Sequence, residues 1–238
     1  MSIQVILIIA ATVLIYGGIM YFTYAKKRKL KEAMQNIDSK SELQKAETYR
    51  DNFLSSEYSY LKKQMNGLSI DAFNFANLDY SNKSAIKDGL KDSLRSAATL
   101  GTVRYQTVQT PKYLLLSGDD LHLLDTDTEG DISNHLIFNS ERLTQATLEE
   151  IPQKGTMQAF AKQKGDNVKA YRISLPTDGS SIELVLFSAL VFTYATTTTS
   201  MFSMNTQKLI QENVIANDFL LKLGEKYPNM KVAVPLAS

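Results

Sequence analysis

An uncharged run near the N-terminus constrains this chain more than any other feature of its sequence. Residues 3–24 contain no Asp, Glu, Lys or Arg. At about 1.5 Å per residue, a helix of that length reaches roughly 33 Å, and the hydrocarbon core of a bilayer is about 30 Å thick. We therefore expect residues 1–25 to form a single transmembrane anchor.

Two other interpretations of this run fit the sequence less well. A cleaved signal peptide has basic residues before a shorter apolar stretch, whereas here the basic residues follow the run. A helix that lies on the membrane surface has a polar face, but Gln4 and Thr12 are almost the only polar residues before Tyr21. The sequence favours a permanent span.

The residues after the run predict its orientation. Flanks rich in Lys and Arg stay on the cytoplasmic side, and Tyr rings favour the headgroup level. We therefore expect the N-terminus outside and residues 26–238 in the cytoplasm. Setting this topology is the preferred role of the basic residues, and attraction of anionic lipid is the alternative. The predicted membrane-interface residues are Tyr21, Tyr24, Lys26, Lys27, Arg28, Lys29 and Lys31.

The composition excludes several classes of function. The chain has 26 basic and 25 acidic residues and a net charge of +1, so it offers no general field that would attract nucleic acid. It has no cysteine, which rules out disulfides, thiol catalysis and cysteine metal sites. With 44% hydrophobic and 21% charged residues, the region beyond the anchor is expected to fold.

Residues 26–101 are predicted to form a helical juxtamembrane region. Ser41 and Gln44 have the spacing of a capping box, and Gly67 stands where a C-terminal cap is wanted, so one helix is expected between them. It is expected to pack on its own domain, while a homo-oligomer through residues 41–66 is the alternative. A second helix is predicted over residues 84–101.

From residue 103 onward the hydrophobic pattern changes to short strands. The separators are turn-like and too short for a crossover helix, which predicts an antiparallel meander. A last amphipathic helix is predicted over residues 205–227, with a main apolar stripe for the core. The strand segments are VRYQTVQ, KYLLLS, LHLLD, NHLIFN, TQATLEEI, MQAFAKQ, KAYRISL and SIELVLF, and the stripe is Leu209, Ala216, Phe219, Leu220, Leu223 and Tyr227.

Two features beside this pattern are candidates for binding a partner. A second stripe of the last helix is either a wider buried face, which we prefer, or a partner surface. Residues 184–207 carry no charge, and the preferred interpretation is a core strand followed by an extended Thr-rich segment. If that segment lies at a sheet edge, a partner strand could add there. The candidates are Ile210, Val214, Leu221, Thr196 and Thr198.

The order of these elements resembles the pleckstrin-homology-like (PH-like) fold of bacterial membrane-associated proteins. YLLLSGDDLHLLD and NHLIFNSERLTQATL resemble its first strands, and IELVLFSALVF followed by NDFLLKLGEKYP resembles its last strand and closing helix. The resemblance covers residues 102–230. It implies an α+β protein in which residues 102–238 form an antiparallel sandwich or partly open barrel capped by the C-terminal helix, and it implies a binding module.

The first hairpin loop of the predicted domain bears on what such a module would bind. The resemblance implies that a domain of this fold that binds headgroups has a basic pocket around this loop, since phosphates need Lys and Arg donors. Here the loop is SGDD, with Asp119 and Asp120 and no base. An acidic loop disfavours phosphoinositides and favours a protein partner.

The sequence offers only weak candidates for chemistry. Residues 125–136 match a portion of a calcium loop, but the last ligand position is Leu136 and the flanks are predicted strands, so a solvated hairpin loop is preferred. His122 and His135 are expected to be structural or surface residues. No catalytic motif, cofactor site or metal site is predicted. The weak metal candidates are Asp125, Asp127, Glu129 and Asp131.

The sequence thus predicts a membrane-tethered cytoplasmic adaptor that binds a protein partner near the inner leaflet and is not an enzyme. Tethering raises the effective concentration of such a module toward a membrane-bound partner. The alternative is an enzyme or a calcium-dependent module that uses residues 125–131.

Overall fold

The computed structural model describes residues 3–35, 38–78, 110–193 and 205–237. Within its helices, the side chains of residues 3–11, 13, 26, 27, 30, 33–35 and 156 lie outside the description. The predicted helix over residues 84–101 and the predicted strand over residues 103–109 also fall outside the described residues.

The described chain is a mixed α+β fold. Its helices are α1 (Ile3–Gln35), α2 (Ser39–Leu43), α3 (Ala46–Ser55), α4 (Ser59–Gln64), α5 (Ser140–Leu143), α6 (Gly155–Lys164) and α7 (Thr206–Lys226), followed by 3-10 turns at Pro228–Met230 and Pro235–Ala237. Its strands are β1 (Ala72–Leu78), β2 (Lys112–Ser117), β3 (Asp120–Thr126), β4 (Ile132–Phe138), β5 (Thr147–Ile151), β6 (Ala170–Thr177) and β7 (Ser180–Phe187).

The seven strands form one open antiparallel sheet in the order β4-β3-β2-β1-β7-β6-β5. The predicted antiparallel meander is confirmed for β2 to β4 and for the β6–β7 hairpin. Strands β5 and β6 are also antiparallel neighbours, but helix α6 connects them. The main core lies between one face of the sheet, to which all seven strands contribute, and helix α7. The other face packs against α3 and α4 on one half of the sheet and against α6 on the other half.

Helix α7 matches its prediction closely. Asn205 is the N-cap, because its side chain accepts a hydrogen bond from the Gln207 N–H at 3.0 Å. The helix ends at Lys226, before Pro228, since proline cannot continue it. The predicted stripe lies in the core: Leu209, Ala216, Phe219, Leu220, Leu223 and Tyr227 are all buried.

The location of strand β1 differs from the sequence prediction. The sequence predicts strands only from residue 103 onward, yet Ala72–Leu78, inside the predicted helical region, forms the central strand of the sheet. All of its residues except Leu78 are buried, because both faces of a central strand are covered. The period-2 alternation that identifies a half-buried strand is then absent.

The predicted strand MQAFAKQ is wrong, because residues 157–163 lie inside helix α6. Met157, Phe160 and Ala161 follow the helical i, i+3, i+4 spacing and pack together on the outer faces of β6 and β7. The sequence window also fits a period of two, and packing against the sheet selects the helix.

The helix predicted over residues 41–66 is three short helices. Asp38 is the N-cap in place of Ser41, and its carboxylate accepts from the Ser41 N–H at 3.5 Å. The chain turns again before α4, where the Tyr58 ring stacks on Phe53 with centroids 6.0 Å apart. These turns let α3 and α4 both reach the sheet. Met65 is the C-cap of α4, and Asn66 follows it with φ of 50°, so the capping position lies before the predicted Gly67, which has φ of 89°.

Helix α1 runs without a break over 33 residues. Within the residues that the structure describes, none of the helices combines the length and the apolar character needed to cross a bilayer. The predicted anchor also includes residues 1 and 2 and the side chains of residues 3–11, which lie outside the described residues.

Strand β1 lies between β2 and β7 and pairs with both. Among the described residues, Asn77 and Leu78 pair with β7, and residues 72–76 pair with β2 on the other side. Side-chain hydrogen bonds from β1 add to this pairing.

Two buried asparagines on β1 supply these bonds. The Asn74 side-chain amide donates to the Phe187 carbonyl at 3.0 Å. The Asn77 amide donates to the carbonyls of Val185 at 3.3 Å and Val191 at 2.9 Å. We call Asn74 and Asn77 the asparagine seam.

Candidate partner-binding edge

The two edges of the sheet carry different chemistry. Edge strand β4 contains no charged residue, whereas edge strand β5 contains Glu149 and Glu150. Glu149 pairs with Arg172 at 3.3 Å and Glu150 pairs with Lys169 at 2.8 Å. Charged side chains on an edge discourage the addition of another strand, because incoming backbone would have to desolvate them. Strand β4 lacks this protection.

Strand β4 is anchored from one face and open on the other. Phe138 is buried in the main core and Leu136 packs against it. On the opposite face Ile137 is 52% exposed and His135 is half-buried. Among the described strands only β3 pairs with β4, so alternate N–H and C=O groups of β4 point away from the sheet.

His135 meets His122 beside this edge. The Nδ1 atom of His122 lies 2.8 Å from the Nε2 atom of His135, and the ring centroids are 5.1 Å apart. Burial lowers the pKa of both imidazoles, and for His122 the neighbouring ring lowers the pKa further. Sequence reasoning treated the two histidines separately. The antiparallel register of LHLLD and NHLIFN could have brought them together.

The predicted membrane-interface residues lie on α1. Tyr21 is 75% and Tyr24 is 68% exposed. Arg28 pairs with Glu32 at 2.7 Å, and Lys31 lies 3.6 Å from Asp166 in the turn after α6. Lys29 is also exposed, whereas the side chains of residues 26 and 27 lie outside the described residues.

The acidic residues after β3 have partners within the chain. Asp125 lies on β3 and pairs with Lys112 at 2.8 Å. The Asp127 carboxylate accepts from the N–H groups of Glu129 and Asp131 at 2.9 and 3.0 Å, which shapes the β3–β4 turn. The predicted strands on both sides are confirmed. In the described residues no group of three or more His, Cys, Asp or Glu side chains could hold a metal ion.

The structure separates the predicted partner-binding residues. Val214 is 1% exposed and is buried inside the domain. Ile210 and Leu221 are half-buried, and Leu221 packs against the main core. Thr196 and Thr198 lie outside the described residues. The segment before them is the inner strand β7, which confirms the core-strand interpretation.

The first hairpin loop is tied to α7. Lys226 Nζ donates to the Gly118 carbonyl and lies 3.5 Å from the Asp119 carboxylate. The Tyr227 hydroxyl donates to the Asp119 carbonyl at 2.5 Å, and the Gly118 N–H donates to Asp71 at 2.8 Å. The backbone groups of Gly118 and the carbonyl of Asp119 are thus bonded within the chain.

Sequence reasoning missed a buried ion pair. Glu212 of α7 is buried and accepts from Lys164 of α6 at 2.6 Å. Burial raises the pKa of the Glu212 carboxyl above its ordinary value, and the nearby lysine opposes this shift. Glu212 lies between Leu209 and Ile215, and a carboxylate on the apolar side of a helix was the available signal. The pair fastens α6 to α7.

Comparisons of this chain with protein-family models, with curated proteins and with solved structures gave no match.

Proposed function

We propose that this protein is a membrane-tethered adaptor that binds a segment of another protein at the edge of β4. The tether is α1, and residues 26–238 lie on the cytoplasmic side. The mechanism is binding without chemistry.

The surface of α1 supports the tether. Apolar and aromatic side chains between residues 14 and 24 are exposed around the helix, including Leu14 at 76% and Met20 at 68%. Large exposed apolar patches mark sites that contact a membrane or a partner. The exposed bases that follow favour a cytoplasmic flank. A lipid environment would cover the side chains that the rest of the chain leaves open.

The strand order supports a PH-like assignment for the folded domain. The antiparallel strands β2 to β7 followed by one C-terminal helix agree with the element order of the resemblance, and α6 is an addition to it. The bonds that Lys226 and Tyr227 make to the first hairpin loop occupy the groups that a phosphate pocket would need. This favours a protein partner over a lipid headgroup.

The observation that carries the proposal is the uncharged edge of β4. An extended segment of a partner can add to such an edge, where main-chain hydrogen bonds give affinity and alternate side chains give specificity. Ile137 and His135 are the alternate side chains on the open face. Strand β5 is the internal control, because its two glutamates oppose the addition of a partner strand.

A pair of matched variants of the full-length protein tests this proposal. Ile137→Lys places a charge on β4, and Thr147→Lys places the same charge on exposed β5. Crosslinking in native membranes, from a photoreactive residue at position 134, should capture a partner. We expect Ile137→Lys to abolish capture and Thr147→Lys to preserve it. Equal capture by both variants, or none by the unmodified chain, would contradict binding at β4.

The tether has a separate test. Alkaline carbonate strips peripheral proteins from membranes and leaves spanning proteins in place. We expect the full chain to stay in the membrane pellet and a cysteine introduced at position 2 to react with an impermeant reagent from outside. The chain has no other cysteine, so the labelling is unambiguous. Release into the supernatant would overturn the tether and leave the β4 proposal standing.

A further inference from the structure

The chain has only two histidines in 238 residues. They are 13 positions apart in sequence, and the fold places a ring nitrogen of one 2.8 Å from a ring nitrogen of the other. Neutral imidazole nitrogens are the commonest protein ligands for transition metals. The pair lies outside the acidic turn that the sequence singled out.

Two adjacent strands hold the rings in place. His122 of β3 is opposite Ile137, and His135 of β4 is opposite Leu124. The histidines are therefore diagonal neighbours on one face of an antiparallel pair, at a distance where side chains interact. His122 is 2% exposed and His135 is half-buried. An ion would approach from the side of His135 and the open edge.

The two facing nitrogens form a hydrogen bond at 2.8 Å, in which one ring donates and the other accepts. An ion that replaced this bond would have to hold both nitrogens at nearly the same separation. With a metal–nitrogen distance of about 2.05 Å, a right angle at the ion separates two nitrogens by about 2.9 Å, and a tetrahedral angle separates them by about 3.3 Å. The observed 2.8 Å is nearer the first value. Right angles belong to the tetragonal coordination that Cu²⁺ and Ni²⁺ prefer, and Cu²⁺ binds nitrogen ligands most tightly of the divalent series.

We propose that His122 and His135 form a two-imidazole site for one tetragonal divalent ion, with Cu²⁺ bound most tightly. The described residues contain no group of three metal-binding side chains, so the other coordination positions are left to water or to an external donor. Binding replaces the hydrogen bond between the rings, and the donor ring then carries its hydrogen on its other nitrogen. The facing nitrogens move apart by about 0.1 Å, as the right-angle geometry requires.

The surroundings favour neutral ligands. Metal ions compete with protons for imidazole nitrogens, and burial lowers the pKa of both histidines. Asp120 lies two residues before His122 on β3 and is the carboxylate whose charge acts on that ring. It opposes the effect of burial and would attract a divalent cation.

Titration of the purified full-length protein, without a histidine tag, tests the site with Cu²⁺ alone. We expect one tight equivalent, and electron paramagnetic resonance should show a tetragonal spectrum with two imidazole nitrogens. His135→Gln should weaken binding at least about tenfold, since even ligand-supporting residues contribute that much. Asn134→Gln, a change on the same strand outside the pair, should leave the affinity unchanged.

Two results would overturn the proposal. One is equal Cu²⁺ affinity in the unmodified protein and in His135→Gln. The other is a spectrum of the unmodified protein with fewer than two imidazole nitrogens, which does not depend on whether the variant folds. Zn²⁺ that binds more tightly than Cu²⁺ would also contradict the tetragonal geometry.

Discussion

The edges of the sheet, β4 and β5, belong to the same fold and differ in their outer surfaces. Strand β5 lies beside β6 with two glutamates held by Arg172 and Lys169. Strand β4 exposes Ile137 and carries no charge. Both strands send apolar side chains into one core, and their outer sides differ in what they permit. An edge without charges leaves strand addition unopposed.

The largest loss of stability is expected from a substitution that detaches β4 from the core. Phe138 is 1% exposed, and Phe138→Ala should lower the free energy of unfolding by about 3–5 kcal/mol. Ile151→Ala on β5 should cost less than about 2 kcal/mol, because Ile151 is half-buried and leaves a smaller cavity. Urea unfolding followed by circular dichroism measures both. Equal losses would show that the edges are anchored alike.

The next test separates the two halves that carry these edges. Asn77→Ala leaves the carbonyls of Val185 and Val191 without their donor, and we expect a loss of about 2–4 kcal/mol from the buried unpaired groups. Asn134→Ala is the control, since Asn134 is exposed on β4 and should change stability by less than about 0.5 kcal/mol. A small effect at Asn77 would mean that backbone pairing alone joins the halves.

A pH titration of stability tests the half of the sheet that carries β5, where the Lys164–Glu212 pair connects α6 to α7. Burial raises the pKa of Glu212 above the ordinary value of 4.5, so the folded state binds the proton more tightly than the unfolded state. The contribution of Glu212 to stability is therefore fully present below pH 4.5 and is lost as the pH rises through the folded pKa. Glu212→Gln removes this dependence, and we expect the variant to gain stability relative to the unmodified protein as the pH rises. Urea unfolding from pH 4 to pH 8 measures it, and a constant difference would contradict the shift.

The smallest effect on stability is expected from removing the charges of β5. Glu149→Gln with Glu150→Gln should change the free energy of unfolding by less than about 1 kcal/mol, because exposed ion pairs contribute little. The double variant should nevertheless self-associate more than the unmodified protein, since its edge then resembles β4. Sedimentation over a series of protein concentrations measures this, with Lys62→Gln and Lys63→Gln on α4 as the charge-removal control. Unchanged association would show that the glutamates do not protect the edge.

Much of the fold could be predicted where local signals and packing agree. Asn205, the periodic stripe of α7 and Pro228 mark the last helix within one residue at each end. The hairpins from β2 to β4 follow from turn residues such as Gly118, whose φ is 55°. In these places the local sequence is enough to predict the element and its ends.

Where packing decides, local patterns predicted the wrong element or none. The central strand β1 lacks alternation because both its faces are buried. Residues 157–163 fit two periods, and the sheet beneath them selects the helix. The candidate edge was missed because strand order determines which strand is last, and strand order depends on pairings distant in sequence. The histidine pair was missed for the same reason.

The asparagine seam also makes the fold sensitive to deamidation. Deamidation replaces a side-chain amide with a carboxylate of nearly the same shape that has no hydrogen to donate. At Asn77 the new oxygen would face two carbonyl oxygens where the amide nitrogen now lies at 3.3 and 2.9 Å. Both bonds would become repulsions in a buried site. The replacement of one amide group, harmless on most surfaces, would here weaken the junction between the two halves of the sheet.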